Sequence, residues 1–423
     1  MSIIENINAY EILDSRGMPT LLTQVMLDNG IKGNAAVPSG ASTGIHEALE
    51  LRDKDKNRYK GKGVLNNIDF INSLILDALQ GLDVRDQKNI DSNLLKLDGT
   101  NNKSKLGANT LLSVSLAVAK TASNLNKIEL YQYLGGINTN LLPIPLVNVI
   151  NGGAHAANNL DIQEYMLAPV GAKTFSQAIR WCSEIFFNLK ELLKSNNYST
   201  SVGDEGGFAP NFKSNYEPLE FLIKAIKKSK LSPEREVMIS LDVASSEFYK
   251  KNKYYLGSPK KYLSSEEMIL FLADIVKKYP IFSIEDGCAE DDWTGWKNLN
   301  SLIGSKTLTV GDDLFVTNRE RLEKGIKKNV ANTILVKPNQ IGTLTETLDT
   351  INLAKDNKIE TIISHRSGET EDNFIADLAV GSNSKMIKTG SVTRSERCSK
   401  YNRLLIIEAN NRDLVYSGTL LNV

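Results

Sequence analysis

The stretch "TILVKPNQIG", Thr333–Gly342, decides how this chain is built. Four apolar or β-branched residues end abruptly on Lys337, and the following Pro338 cannot continue a hydrogen-bond ladder. That reads as a short buried strand closed by an ionisable residue. Working outward, the same phrase recurs: "VMISLD", "IFSIED" and "LTVGDD" stand upstream, "TIISHR" and "KMIKTG" downstream. The residues that close the six runs are Asp242, Glu285, Asp312, Lys337, His365 and Lys388, spaced by 43, 27, 25, 28 and 23 positions. After the first gap, each spacing is the length of a strand plus a helix. Repeated βα units predict an α/β fold, either a (β/α) barrel or an open doubly wound sheet. No G-x-G-x-x-G follows a first strand and no P-loop pattern occurs, which counts against a nucleotide-binding sheet.

The barrel reading has a chemical consequence. The C-terminal ends of barrel strands open on one face, where active sites are built, so six residues distant along the chain would converge. Asp242, Glu285 and Asp312 would bring three carboxylates together, which is costly unless a cation neutralises them. Oxygen ligands select Mg²⁺, Ca²⁺ or Mn²⁺ over zinc. The other reading is three separate salt bridges to lysines. A lysine near a metal and a second ammonium, as Lys337 and Lys388 would be, has its charged form disfavoured and becomes basic enough to take a proton from carbon. In "ISHRSGETED", Ile363–Asp372, Arg366 and Ser367 can grip a phosphate or carboxylate. Equally, Arg366 can pair with Glu369 or Asp372.

Two acidic stretches lie upstream. "DIQEYM" places Gln163 and Glu164 on a strand-like segment, and "SVGDEGGFAP" sets Asp204 and Glu205 before Gly206 and Gly207, where the backbone can approach closely. A cleft carboxyl beside another can stay protonated at neutral pH and serve as general acid. By itself, D-E-G-G is more often a structural turn.

A chain of 423 residues calls for two domains. Its start reads as a hairpin with Asp28-Asn29-Gly30 at the tip, followed by helical patterns in "NIDFINSLILDAL" and "GANTLLSVSLAVAKTASNL". The Gly, Asn and Pro of "YLGGINTNLLPIP" mark the boundary, giving an N-terminal α+β domain over 1–136 and the βα units over 137–423. Basic and acidic residues number 50 each, so no net charge favours polyanions and nucleic acid is not expected as a primary partner. Three scattered cysteines, no signal-peptide pattern and no membrane-spanning run predict a cytoplasmic protein in a reducing compartment.

With these residues assembled, the chain resembles the enolase family along nearly its whole length. The carriers, in order, are "LDSRGMPT", "VPSGASTGIHEALELRD", "VNVINGGAHA", "DIQEYM", "VGDEGGFAPN", "SLDVASSEFY", "SIEDG", "VGDDLFVTN", "VKPNQIGT", "SHRSGETED" and "IKTGS". The resemblance implies a small α+β domain before a modified (β/α)8 barrel of the TIM type, whose opening strands and helices break the plain alternation; the wide first gap is read as part of that departure. It implies reversible, Mg²⁺-dependent dehydration of 2-phospho-D-glycerate to phosphoenolpyruvate, with two Mg²⁺ per active site. Lys337 then resembles the base that takes the C2 proton, and Glu205 the acid that helps hydroxide leave, supported by Glu164. Gln163, His155, His365, Arg366, Ser367 and Lys388 resemble substrate contacts, the arginine and serine at the phosphate and Lys388 at the carboxylate. Asp242, Glu285 and Asp312 resemble the ligands of the first Mg²⁺, while Asp313 is expected to orient Lys337. Ser39 resembles a ligand of the second Mg²⁺, on a lid hinged at Gly40 and Gly44. The family also implies a homodimer, sometimes an octamer, and sometimes a second role at the cell surface or in RNA-processing assemblies. Related racemases and acid-sugar dehydratases carry a K-x-K pair where this chain has "SVGDEGG". Met18, Ala154 and Ala157 depart from the usual family residues, and their expected effect is on turns and loop polarity.

Overall fold

Alternating burial builds the first sheet of the computed structural model, which describes residues 2–40, 44–257 and 260–420. β1 (Ile4–Leu13), β2 (Pro19–Leu27) and β3 (Lys32–Ala36) form an antiparallel meander. Leu21, Thr23, Val25 and Leu27 of β2 all point inward. The turn from β2 to β3 falls at Asp28-Asn29-Gly30 as predicted, with Gly30 at φ +82°. β1 is less legible because its pairing register shifts between Ile4 and Asn6, which interrupts the period of two. The long predicted helix is α1 (Ala108–Asn126), and β3 lies directly on it: a Cβ on Gly33 would come within 2.5 Å of Thr121. Met18 is absorbed by a backbone device, since the Asp14 carboxylate accepts from the N–H groups of Arg16 at 2.8 Å and Met18 at 2.9 Å.

The six apolar runs are all barrel strands. They form β6 (Met238–Asp242), β7 (Ile281–Glu285), β8 (Leu308–Gly311), β9 (Thr333–Val336), β10 (Glu360–Ser364) and β11 (Met386–Lys388). Two earlier strands, β4 (Ile144–Asn151) and β5 (Glu164–Ala168), complete a closed barrel in the order β7-β8-β9-β10-β11-β4-β5-β6. Closure removes the open-sheet alternative. Every neighbouring pair is parallel except those of β5, which runs antiparallel to both β4 and β6. Two helices in succession, α2 (Phe175–Ser195) and α3 (Glu217–Lys228), then separate β5 from β6. The opening therefore departs from βα alternation as the resemblance implies.

The wide first gap has a different cause. Between β6 and the helix Ser265–Lys278 the chain inserts a three-stranded antiparallel sheet, Tyr249–Lys250, Lys253–Gly257 and Lys260–Leu263. Tyr254 anchors it: its ring is buried 4.6 Å from that of Tyr249, and its hydroxyl donates to Asp292 at 2.9 Å. Among the described residues, no helix is long and apolar enough to cross a membrane.

Candidate active site

Because parallel strands end together, the predicted residues meet at the mouth of the barrel. One cavity is lined by Asp242 at the end of β6, Asp312 beyond β8, Lys337 beyond β9, His365, Arg366 and Ser367 beyond β10, and Lys388 on β11. Gln163 and Glu164 reach it from the opposite sense of chain, at the start of the reversed β5; His155 comes from the β4–β5 loop and Glu205 from the α2–α3 loop. The α2–α3 loop fits only because of its glycines. Gly206 stands at φ +88°, and a Cβ on Gly207 would lie 2.7 Å from the Asn151 side chain and 3.0 Å from the backbone of β4. Glu285 and Ser39 do not line the cavity.

Carboxylates outnumber cations here. Eight of them (Glu47, Glu164, Glu205, Asp242, Glu247, Asp286, Asp312 and Asp313) face three permanent cations, Lys337, Arg366 and Lys388. The Lys388 ammonium sits among the expected metal ligands, 2.9 Å from Asp242, 2.9 Å from both oxygens of Glu285 and 3.2 Å from Glu164. Asp312 pairs instead with Lys337 and accepts from Gln340 at 2.8 Å. The Asp286, Asp312 and Asp313 carboxylates approach within 4.8 Å of one another, as do His155, Glu164 and Glu205. Burial, with Asp242 for Glu285 and Asp313 for Asp286, drives both of those carboxyls well above the usual range. Such a surplus of buried oxygen donors fits a hard divalent cation.

The acid that holds the lysine base differs from the one expected. Burial lowers the pKa of Lys337, while Asp312 and then Glu285 raise it, and the net shift is upward, so among these side chains alone the charged form is favoured. The partner that holds Lys337 is Asp312, not Asp313. Asp313 lines the same cavity, and its backbone N–H donates to Asp286 at 2.9 Å. Asp286 also takes the N–H of Asp312 at 3.0 Å, and so fixes the two-residue acid turn. The sequence offered Asp286 only as the neighbour of Glu285 in "SIEDG"; it acts because it lies one residue past the strand end.

The acid side splits its charge. Burial and the Glu205 carboxylate push Glu164 up to about 7. Burial works against Glu205 too, yet His155, His365, Arg397 and Lys388 hold it well below the usual range. Of the two carboxyls, Glu164 is therefore the one that holds a proton more readily. His155 stands 3.4 Å from Glu164 and 3.7 Å from Glu205; burial is outweighed by these anions and its pKa rises to about 9. Ala154 and Ala157, beside it, are exposed.

In the β10 loop, neither expected acid takes the Arg366 guanidinium. The fork grips Glu47 at 2.9 and 3.2 Å, and Asn339 at 3.2 Å. Glu369 pairs with Lys400 at 2.8 Å, and Asp372 with Lys120 at 2.7 Å while accepting from the Phe374 N–H at the start of the helix Phe374–Gly381. Ser39 faces Glu50 and Arg52, each at 2.9 Å, and is tied by its backbone to Gly368. Gly40 and Gly44 are described; the lid residues 41–43 between them lie outside the described residues. Sequence reasoning also missed Arg397, whose buried guanidinium reaches the carbonyls of Arg366 and Ser367. Nothing in "SVTRSERCSK" separates it from the arginine three residues earlier.

Comparison with known families agrees with this geometry. The model of the enolase N-terminal domain matches residues 4–134, and that of the enolase C-terminal TIM barrel domain matches residues 139–421. Together they cover almost the whole chain. A closed eight-stranded barrel with one reversed strand, preceded by an α+β domain and matched by both family models, makes this chain a member of the enolase family.

Proposed function

We propose that the protein is a Mg²⁺-dependent hydro-lyase that interconverts 2-phospho-D-glycerate and phosphoenolpyruvate. The observation that carries the reading is the barrel order. Three strands separate β9 from β5 in either direction, so Lys337 and Glu164 face each other across the mouth. A ligand between them has the Lys337 nitrogen on one side and, on the other, a carboxyl that takes up a proton near neutrality, the arrangement an elimination across adjacent carbons needs once Lys337 has shed its own proton. Lys337 removes the C2 proton. Glu205, with Glu164 carrying the proton, delivers it to the departing C3 hydroxide.

Arg366 and Ser367 hold the phosphate, with His155, His365 and Gln163 lining the space around the carbon chain, and Lys388 meets the substrate carboxylate. Asp242, Glu285 and Asp312 are the residues that would hold the first Mg²⁺, and Ser39 would serve a second. When bound, Mg²⁺ supplies the positive charge that offsets the anion developing at the substrate carboxylate. Division of the chain near residue 136, a cytoplasmic location and assembly as a homodimer or octamer belong to the same reading. The test is direct: purified protein with 2-phospho-D-glycerate and Mg²⁺ is followed by ultraviolet absorbance of the enol product. Rising absorbance is expected, and a flat trace from folded, Mg²⁺-supplied protein overturns the proposal.

A further inference from the structure

Arg397 lies in the first turn of α4 (Ser395–Asn410) and is wholly buried. A guanidinium stripped of water needs strong partners. Among the described residues no carboxylate forms a hydrogen bond with it; Glu396 is 3.6 Å from its Nε. Its partners are uncharged acceptors from two separate turns. Nη1 donates to Nδ1 of His365 and to the carbonyl of Arg366, both at 2.6 Å. Nη2 donates to the carbonyl of Ser367 at 2.6 Å and to that of Asp204 at 3.3 Å. One side chain thus clamps the Arg366–Ser367 turn against the turn that carries Glu205.

A guanidinium has donors only and stays protonated throughout the working pH range. The imidazole nitrogen that meets it must therefore be a lone pair. We infer that Arg397 is a positioning residue that locks His365 as the neutral tautomer with its proton on Nε2, facing Glu205 Oε1 at 3.5 Å. Glu205 then receives a neutral N–H and not an imidazolium, and it keeps its cationic partners at His155 and Lys388. The surroundings of the ring act the same way. Burial together with Arg397, Lys388 and Lys337 holds His365 well below the ordinary imidazole range, and Glu205 alone opposes them. The inference deepens the proposed function, in which Glu205 is the acid, but its test needs no turnover.

The chain contains three histidines, His46, His155 and His365, so a histidine-labelled sample gives few imidazole ¹⁵N signals. They are assigned with the variants His46→Gln and His155→Gln. Across about pH 5 to 8, where an ordinary histidine titrates, His365 is expected to keep an unprotonated, pyridine-like Nδ1 and a protonated, pyrrole-like Nε2. Arg397→Met should release the ring, so that it titrates or exchanges tautomers in that range. Arg397→Lys retains a cationic donor and should retain the parent's signature. A parent His365 protonated on Nδ1 overturns the inference, and so does a folded Arg397→Met protein with unchanged tautomer and no titration. Should the methionine variant fail to fold, the parent and the lysine variant decide: loss of the signature in folded Arg397→Lys overturns it. Absence of hydro-lyase activity with the expected tautomer would overturn the proposed function and leave this inference standing.

Discussion

Two residues carry the sharpest expectations, one on each side of the mouth. Replacing Lys337 by alanine should cut turnover of 2-phospho-D-glycerate by about 10²–10⁴-fold, the usual worth of a general base, while circular dichroism and Tm report a folded chain. Glu164 gives a pH prediction. Its folded pKa of about 7 lies above its unfolded value, so the folded state holds the proton more tightly. That stabilisation is fully present below about pH 4.3 and is lost as pH rises through about 7. Glu164→Gln should therefore show a flatter Tm–pH curve over this window in metal-free buffer, and an unchanged slope would refute the assignment. These residues were legible because each closes or opens a strand. Glu47, Asp286 and Arg397 were not. Glu47 meets Arg366 across 319 positions of chain, Asp286 acts through backbone N–H groups, and Arg397 works from a helix with no distinctive spacing.

At the scale of elements, the site depends on segments held by single charged contacts. Lys120 of α1 reaches Asp372, whose other oxygen contacts include the N–H of Ala36 at the end of β3. This pair ties the first sheet and its helix to the loop that carries Arg366. Lys120→Met leaves a largely buried carboxylate unpaired and should cost about 3 kcal/mol in denaturant titrations. The sign with pH follows from the depressed Asp372: burial raises its pKa, but Lys120 and the N–H groups of Ala36 and Phe374 together lower it by more, so the contribution is present above about pH 4 and lost as pH falls through the folded value. Acid sensitivity in that window should shrink in the variant. Glu47, on the segment after Gly44, occupies the Arg366 fork. Glu47→Gln should let inorganic phosphate bind several-fold more tightly by calorimetry, and equal affinity would show that the fork is not the anion site. The repeated "apolar run, then charge" phrase exposed six barrel strands in the sequence. It hid β1 behind a register shift, and it attributed to the barrel opening a gap that a small inserted sheet fills.

The whole molecule concentrates carboxylates in one buried mouth although its total charge is zero. Ligand linkage then predicts that Mg²⁺ raises Tm, by about 2.7 kcal/mol of stability at a hundred times its dissociation constant. Asp242→Asn should blunt that rise in thermal scans; a full response would exclude Asp242 as a ligand. The reversed β5 has a last consequence, for tolerance of insertions and deletions. Lys337 continues directly from β9, so one residue added within that strand would turn its side chains to the opposite face. Glu205 is continuous with no strand. It rides on a clip, residues 202–208, closed by a Val202–Phe208 bridge and fastened to β4 by Phe208, whose N–H donates to the Val149 carbonyl at 2.9 Å and whose carbonyl accepts from the Asn151 N–H at 2.8 Å. Length changes in α2 or α3 can be taken up in the stretches 196–201 and 209–216 without moving the clip. The turn that carries Glu205 can thus tolerate length changes around it, while Lys337 and Glu164 are both held to the register of the barrel.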